Sequence, residues 1–294
     1  MSVSAKDVKK LREMTGAGIM DCKKALIETE GDFDSAVEYL QKKKIIGAGK
    51  KEGRVAAEGL IRVWAPEGGS SAVVLEMNSE TDFVARNQGF IDFVNQITEI
   101  VGSSSATNAE EALAVESNGR PVAELIAEQV GTIREKIKLR RVARVSAPEG
   151  GIVGRYLHPG DQIGVLVALK GGDADLARDI AMHTAAMRPK YLSPEDVDAD
   201  EAARQEGIFS AQLAEEGKPE HLIPRIMGGK MAKWRNEHSL LEQPFVKDPD
   251  GKAVGKFVAG EGAEITEFVR FEVGEGVEKV ESNLADEVAA TLKG

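Results

Sequence analysis

Residues 72–87 read Ala72-Val73-Val74-Leu75-Glu76-Met77-Asn78-Ser79-Glu80-Thr81-Asp82-Phe83-Val84-Ala85-Arg86-Asn87. The first six are mostly apolar and β-favouring, as in a buried strand. Downstream, Phe90, Phe93, Val94, Ile97, Ile100 and Val101 recur three and four apart, the period of an amphipathic helix. Ser79 to Asn87 is therefore a strand-to-helix connection, the kind of segment on which function concentrates. It sets a carboxylate, Asp82, beside a large apolar ring, Phe83. Two readings stand open. Phe83 starts the helix and folds into the core, as most aromatics do, or the ring projects from a polar loop because it has somewhere else to go.

The same order of elements occurs twice. Glu58-Gly59-Leu60-Ile61, the turn Pro66-Glu67-Gly68-Gly69, Val73-Val74-Leu75 and Phe90 to Val101 give strand, turn, strand, loop, helix. Gly151-Ile152-Val153-Gly154, His158-Pro159-Gly160, Gly164-Val165-Leu166-Val167-Ala168 and Leu176 to Met187 give it again. The expected class is α+β, with a duplicated core of antiparallel sheets backed by helices. The expected units are 55–141 and 142–197 plus 238–276, with strand-like runs resuming from Leu240 to Val273.

Three regions flank or interrupt that core. Residues 4–43 read as three short helices. Ser4 caps the first, whose face is Val8, Leu11 and Met14, and Thr15-Gly16-Ala17-Gly18 breaks it. The second runs from Met20 to Thr29. The third follows the cap candidate Asp32 and buries Phe33, Val37 and Leu40. Residues 45–56 look like a linker, closing a first domain at about residue 54. Residues 198–237 carry two apolar stripes, Ala202 to Ala214 and Leu222 to Trp234, split by Gly217-Lys218-Pro219. They predict an antiparallel helical hairpin inserted in the second unit. A C-terminal module, 277–294, contains an amphipathic helix with Leu284, Val288 and Leu292 on one side, docking either on the body or on a partner.

Composition excludes several classes. No apolar run approaches the roughly 18 residues of a membrane span, and Met1 to Lys6 lacks the apolar stretch of a signal peptide. Cys22, the single cysteine, rules out an internal disulfide and fits a reducing cytoplasm. Net charge is −11; residues 1–54 hold 12 Lys or Arg against 9 Asp or Glu, a balance of +3 that leaves −14 for the rest. An acidic body argues against direct nucleic-acid binding. Lys42-Lys43-Lys44 and Lys50-Lys51 read more simply as a solvated helix end and linker.

No catalytic constellation emerges. There is no Gly-x-x-x-x-Gly-Lys-Ser/Thr loop and no Gly-x-Ser-x-Gly. His158, His183, His221 and His238 are scattered without metal-ligand spacing. Cys22 sits between Asp21 and Lys23 with no nearby histidine, which favours a structural role. The expectation is therefore no catalytic residue, no metal site and no cofactor.

Leu11-Arg12-Glu13-Met14-Thr15-Gly16-Ala17-Gly18-Ile19-Met20-Asp21-Cys22-Lys23-Lys24-Ala25-Leu26, Thr81-Asp82-Phe83-Val84, Ile180-Ala181-Met182-His183 and Phe268-Val269-Arg270-Phe271-Glu272-Val273-Gly274-Glu275-Gly276 stand in an order that closely resembles the elongation factor Ts family across nearly the whole chain. The resemblance implies a cytoplasmic, non-enzymatic guanine-nucleotide exchange factor. Its partner would be elongation factor Tu, GDP-bound and nucleotide-free. It implies a ubiquitin-associated-like domain at the N-terminus and a coiled coil at the hairpin. Thr81, Asp82, Phe83 and Val84 would be the insertion that dislodges the partner's Mg²⁺, and Arg12, Ile19, Met20 and Lys23 would touch its nucleotide-binding domain. Ile19 stands where many members carry methionine. His158 would be a further contact, in a turn that Pro159 makes one residue longer than in some members. Family members form one-to-one or two-plus-two complexes, the latter with dimerisation of the factor. From the residues alone, Met20 can also be read as a core residue of the helical module and His158 as an ordinary turn residue. Two rivals remain: a binding module in 1–54 on an inactive scaffold, and an enzyme with an acidic metal site at Glu80 and Asp82.

Overall fold

The computed structural model describes residues 4, 7–11, 19–40, 54–66 and 69–277, with the backbone alone for 19–21. Helices α1 (7–11), α2 (Ile19–Glu28) and α3 (33–40) form the N-terminal part. Ser4 Oγ accepts from the Asp7 N–H at 3.2 Å, while the Asp7 carboxylate takes bonds back from the Ser4 hydroxyl and N–H. Asp32 Oδ1 accepts from the Ser35 N–H at 2.7 Å and opens α3. Bonds from Ser35 hold the Asp32 carboxyl below its ordinary range. Val8, Leu11, Cys22, Ala25, Leu26, Ala36 and Leu40 pack together in the interior of this module. The Thr15–Gly18 break, most of the expected linker and the 283–292 helix lie outside the described residues.

The first sheet begins with β1 (Glu58–Trp64) and β2 (Ser71–Ser79). Then come the single turn α4 (Asp82–Ala85), the long α5 (Gln88–Gly102) and α6 (Ala109–Ala114). The two-residue ladder β3 (Glu116–Ser117) and β4 (Arg120–Pro121), α7 (Val122–Ile133) and β5 (Lys138–Ser146) complete the unit. The order is β1-β2-β5, antiparallel throughout. β5 runs unbroken across the expected 141/142 boundary and stays paired with β2 as far as Ser146, so the first sheet extends to that residue. The Arg144 guanidinium, on β5, donates to the carbonyls of Val101, Gly102 and Ser104 and closes the C-terminal end of α5. It thereby fills the acceptor sites that every helix C-terminus leaves open.

The second sheet comprises β6 (Ile152–Leu157), β7 (Ile163–Lys170) and β8 (Glu264–Glu272) in the order β6-β7-β8, again antiparallel. Between β7 and β8 lie α8 (Ala174–Met187), α9 (Ala199–Glu215), α10 (Ile223–His238) and α11 (Val254–Gly260). The strand-like reading of Leu240 to Val273 therefore holds only from Glu264. Before it come a 3-10 turn at Leu240–Glu242 and α11, whose buried Val254 and Val258 are spaced for a helix.

Alternation along the central strands makes the layers. Val73, Leu75 and Met77 of β2 pack under Phe90, Val94 and Ile97 of α5 and Ile126 of α7. Val165, Val167 and Leu169 of β7 pack under Ile180 and Ala181 of α8. The intervening Ala72, Val74, Leu166 and Ala168 meet each other with Ile61, Val145 and Val153. The sheets thus face one another, with helices on both outer sides. Strands buried on both faces read as continuous apolar runs, as β2 does. The approach is close at Gly164, where a Cβ would lie 2.5 Å from Ile61 Cγ2.

Helices α9 and α10 leave the body as a pair from a stitched neck. Lys190 and Tyr191 donate their N–H groups to the His238 carbonyl, and Leu240 N–H donates to Tyr191 O at 2.9 Å. Tyr191 and Ser239 form a parallel bridge. Trp234 packs with Val197 and Ala202 at this base, while Ile208, expected in the apolar stripe, is 51% exposed.

His183 is wholly buried on α8. Its Nδ1 accepts from the Val246 N–H at 3.3 Å, so Nε2 carries the proton shared with Gln243 Oε1 at 3.0 Å. Burial pushes this imidazole below its ordinary value of 6.5, although the bond to Gln243 works the other way. A neutral group in the fold must charge on unfolding in acid. The stability it contributes is complete above 6.5 and is lost as pH falls from there towards the folded value. Urea unfolding between about pH 8 and pH 5 should show this decline. A His183→Gln chain, which has nothing to titrate there, should follow a flatter profile; identical profiles would refute the assignment.

Candidate functional site

β2 ends at Ser79, and the chain turns through Glu80 and Thr81 into α4. Thr81 is its N-cap: Oγ1 accepts from the Val84 N–H at 3.3 Å. The C-cap Arg86 returns its N–H to the carbonyls of Asp82 and Val84. Asn87 immediately caps α5 through Oδ1, which accepts from the N–H groups of Gly89 at 2.9 Å and Phe90 at 3.3 Å. Two caps six residues apart leave a stiff corner with little backbone freedom.

Val84 turns inward against the first core, while Phe83 turns out and is 83% exposed. It is the most exposed large apolar side chain among the described residues. The reading in which Phe83 folds into its own core is thereby removed; Phe90 occupies that place at 0% exposure. Asp82 pairs with Arg86 one turn on at 3.2 Å, an exposed contact of little energetic weight.

Partners distant in sequence hold the corner. The Thr81 N–H and hydroxyl both donate to the Glu135 carboxylate, at 3.0 and 2.8 Å. Glu80 accepts from the Lys136 N–H at 2.5 Å and from Arg54 at 3.3 Å. Glu80 and Asp82 therefore face donors, and among the described residues no group of three or more His, Cys, Asp or Glu is arranged to hold a metal ion. Glu135 and Lys136 escaped the sequence reading. The one local signal is an acid-base pair directly after an apolar helix, and that pattern is common on surfaces.

His158 is exposed at the start of the β6–β7 turn, with Nδ1 3.0 Å from the Tyr156 hydroxyl. The turn, which includes Pro159, is fixed to the first sheet. Asp161 accepts from Arg62 Nη1 at 2.8 Å and from the Ile61 N–H at 2.8 Å, and Gln162 Nε2 donates to Gly59 O at 3.0 Å. β1 is thus a common strut: it pairs with β2, which leads into α4 and Phe83, and receives the turn that carries His158. Lys23 is exposed on α2. Arg12 and the side chains of Ile19 and Met20 lie outside the described residues.

The corner thus presents an exposed apolar ring with a carboxylate beside it on a doubly capped turn. No helix among the described residues is long and apolar enough to cross a membrane. A family model described as elongation factor TS matches residues 80–275. Proteins named Elongation factor Ts are 46% identical in Alkalilimnicola ehrlichii and 45% in Thioalkalivibrio sulfidiphilus, over the full length of both chains in each case. The one from Methylococcus capsulatus is 46% identical over all of this chain and 99% of its own length.

Proposed function

The chain belongs to the elongation factor Ts family, and from that premise we propose that it serves translation elongation as a guanine-nucleotide exchange factor for elongation factor Tu. It performs no covalent chemistry. It binds the GDP-bound partner, weakens the hold on Mg²⁺ and nucleotide, and stabilises the empty form until GTP enters. Such action is negative coupling between two ligands, so nucleotide must weaken the factor's binding by the same factor. A coupling of about 4 kcal/mol corresponds to about a thousandfold change in affinity.

The observation that carries the reading is the 83% exposed Phe83 on a doubly capped corner. An apolar anchor held rigidly in water gains most by entering a pocket on a partner. Thr81, Asp82, Phe83 and Val84 form the wedge. Mg²⁺ demands near-ideal octahedral geometry, so a small displacement of its ligands in the partner suffices. Lys23 and His158, with Arg12, Ile19 and Met20, supply the wider docking surface. The domain division in keeping with this role is a helical module to residue 54, two sheet-and-helix units, and the 198–237 hairpin as an arm.

The test is release of a fluorescent GDP analogue from elongation factor Tu in Mg²⁺ buffer. Adding this protein is expected to accelerate release severalfold or more at catalytic amounts. No acceleration by the folded chain would overturn the reading.

A further inference from the structure

Helix α4 has four residues, none of them fully buried. A helix that short does not hold itself together in water, so its direction, and with it the direction of Phe83, must be imposed from outside. The two caps fix its ends to the neighbouring chain; Val84, packed on the first core, and two carboxylate exchanges fix the corner to the body. Glu135 takes both donors of Thr81, N–H and hydroxyl, at 3.0 and 2.8 Å. In return Glu80 takes the Lys136 N–H at 2.5 Å. Residues 80–81 and 135–136 are therefore clasped reciprocally across a separation of 54 to 56 positions.

The clasp is itself anchored. Arg134 ends α7 in the left-handed region at φ 67° and so turns the chain out of the helix into the clasp. Ile137, next in the chain, is buried in the first core. Arg54 bonds Glu80 through its guanidinium and accepts from Lys136 Nζ on its carbonyl at 2.9 Å, closing a ring of three residues. Both carboxylates are partly shielded from water, where bonds to a charged acceptor are stronger than neutral ones.

We propose that Glu135 is a positioning residue for nucleotide exchange: by holding Thr81 through two bonds it sets the orientation in which α4 presents Phe83 to the partner. This rests on the wedge reading above. The Thr81 hydroxyl gives its single proton to Glu135 and keeps its lone pairs for the Val84 N–H. One carboxylate thus governs both the cap and the body contact. Without it, the corner keeps its caps, the Val84 contact and the Glu80–Lys136 bond but loses the hold on Thr81, and the partner must restore that orientation at the moment of binding.

The experiment is a cycle in the full chain: wild type, Glu135→Ala, Phe83→Ala and the double variant, each read as GDP-analogue release from elongation factor Tu at one subsaturating concentration. Glu135→Ala is expected to slow release about tenfold. The double variant should be no slower than Phe83→Ala alone, since orientation is irrelevant once the ring is gone. Glu135→Gln, which keeps a carbonyl for the Thr81 N–H, should recover part of the loss. Wild-type release by Glu135→Ala, with Phe83→Ala slow, would overturn the clasp and leave the wedge intact. A further tenfold loss in the double variant would assign Glu135 a general structural role and overturn the proposal. Should Glu135→Ala fold poorly, Glu135→Gln with and without Phe83→Ala asks the same question, because glutamine keeps the shape of the side chain, leaves the Thr81 cap untouched and replaces one of the two acceptor oxygens. Wild-type release by Glu135→Gln in that case would count against the clasp. Normal release by Phe83→Ala would remove the wedge, and the clasp with it.

Discussion

Phe83→Ala is expected to lose about 2–4 kcal/mol of the interaction that drives exchange, a slowing of about thirtyfold to a thousandfold, with no measurable change in melting temperature. The two halves of that expectation come from one number, the 83% exposure of the ring. A side chain already in water contributes almost nothing to its own fold, and such surface substitutions usually stay within about 0.5 kcal/mol. The same ring, buried in a partner, contributes on the scale of a central aromatic anchor. Stopped-flow release of labelled GDP and a thermal melt on the same preparation separate the two. Phe83→Leu should fall between, keeping apolar volume without the ring. A variant that melts normally and exchanges normally would sink the wedge argument.

The second large effect is on stability. Glu76→Ala is expected to lower the unfolding free energy by about 2–4 kcal/mol, because it removes a buried carboxylate from two partly exposed arginines, the buried Asn78 amide and a backbone N–H. Glu76 has zero exposure in the middle of β2. Its carboxylate accepts from Arg140 Nη1 at 3.0 Å, Arg141 Nε at 2.6 Å, Asn78 Nδ2 at 2.9 Å and the Gly274 N–H at 2.8 Å. It therefore binds its own strand, β5 and the segment leaving β8 at one point. Burial alone would raise its pKa, but the bonds from Gly274 and Asn78 and the Arg141 charge outweigh that and hold it below the ordinary 4.5. Its contribution is complete above 4.5 and fades as pH falls through the folded value. Urea unfolding at neutral pH measures the loss; a change under about 1 kcal/mol would mean that the network contributes no more than an exposed pair.

The two residues also mark what the sequence makes legible. The strand at 72–77 and the helix at 90–101 were readable because one segment packs on both faces and the other on one stripe, and each leaves its period in the residue order. The Ser4 and Asp32 caps were readable because their partners stand three residues away. Glu76 was not, since its partners Arg140, Arg141 and Gly274 lie 64, 65 and 198 positions off. Within its own run it is merely a polar residue in a strand. Glu135 is hidden for the same reason. β5 has no counterpart in the sequence reading: Arg140, Arg141 and Arg144 interrupt its apolar residues, and each arginine is committed to a carboxylate or to backbone carbonyls that only the folded chain brings near. At the corner the local pattern marks the strand-to-helix connection and its exposed candidates. The direction of the ring was left open, because direction depends on contacts made from far along the chain.

The neck at Tyr191 and Ser239 is already closed by backbone bonds before either arm helix begins. Lengthening the excursion between two such points costs only about 0.6 kcal/mol of loop-closure entropy per doubling. Neither β7 nor β8 would shift register if residues were added to or taken from the arm. Beyond its packed base, its reach is thus free to drift across descendants of this sequence at little cost to folding. A length that stays constant would record selection by whatever the arm meets, and not any need of the body that carries it.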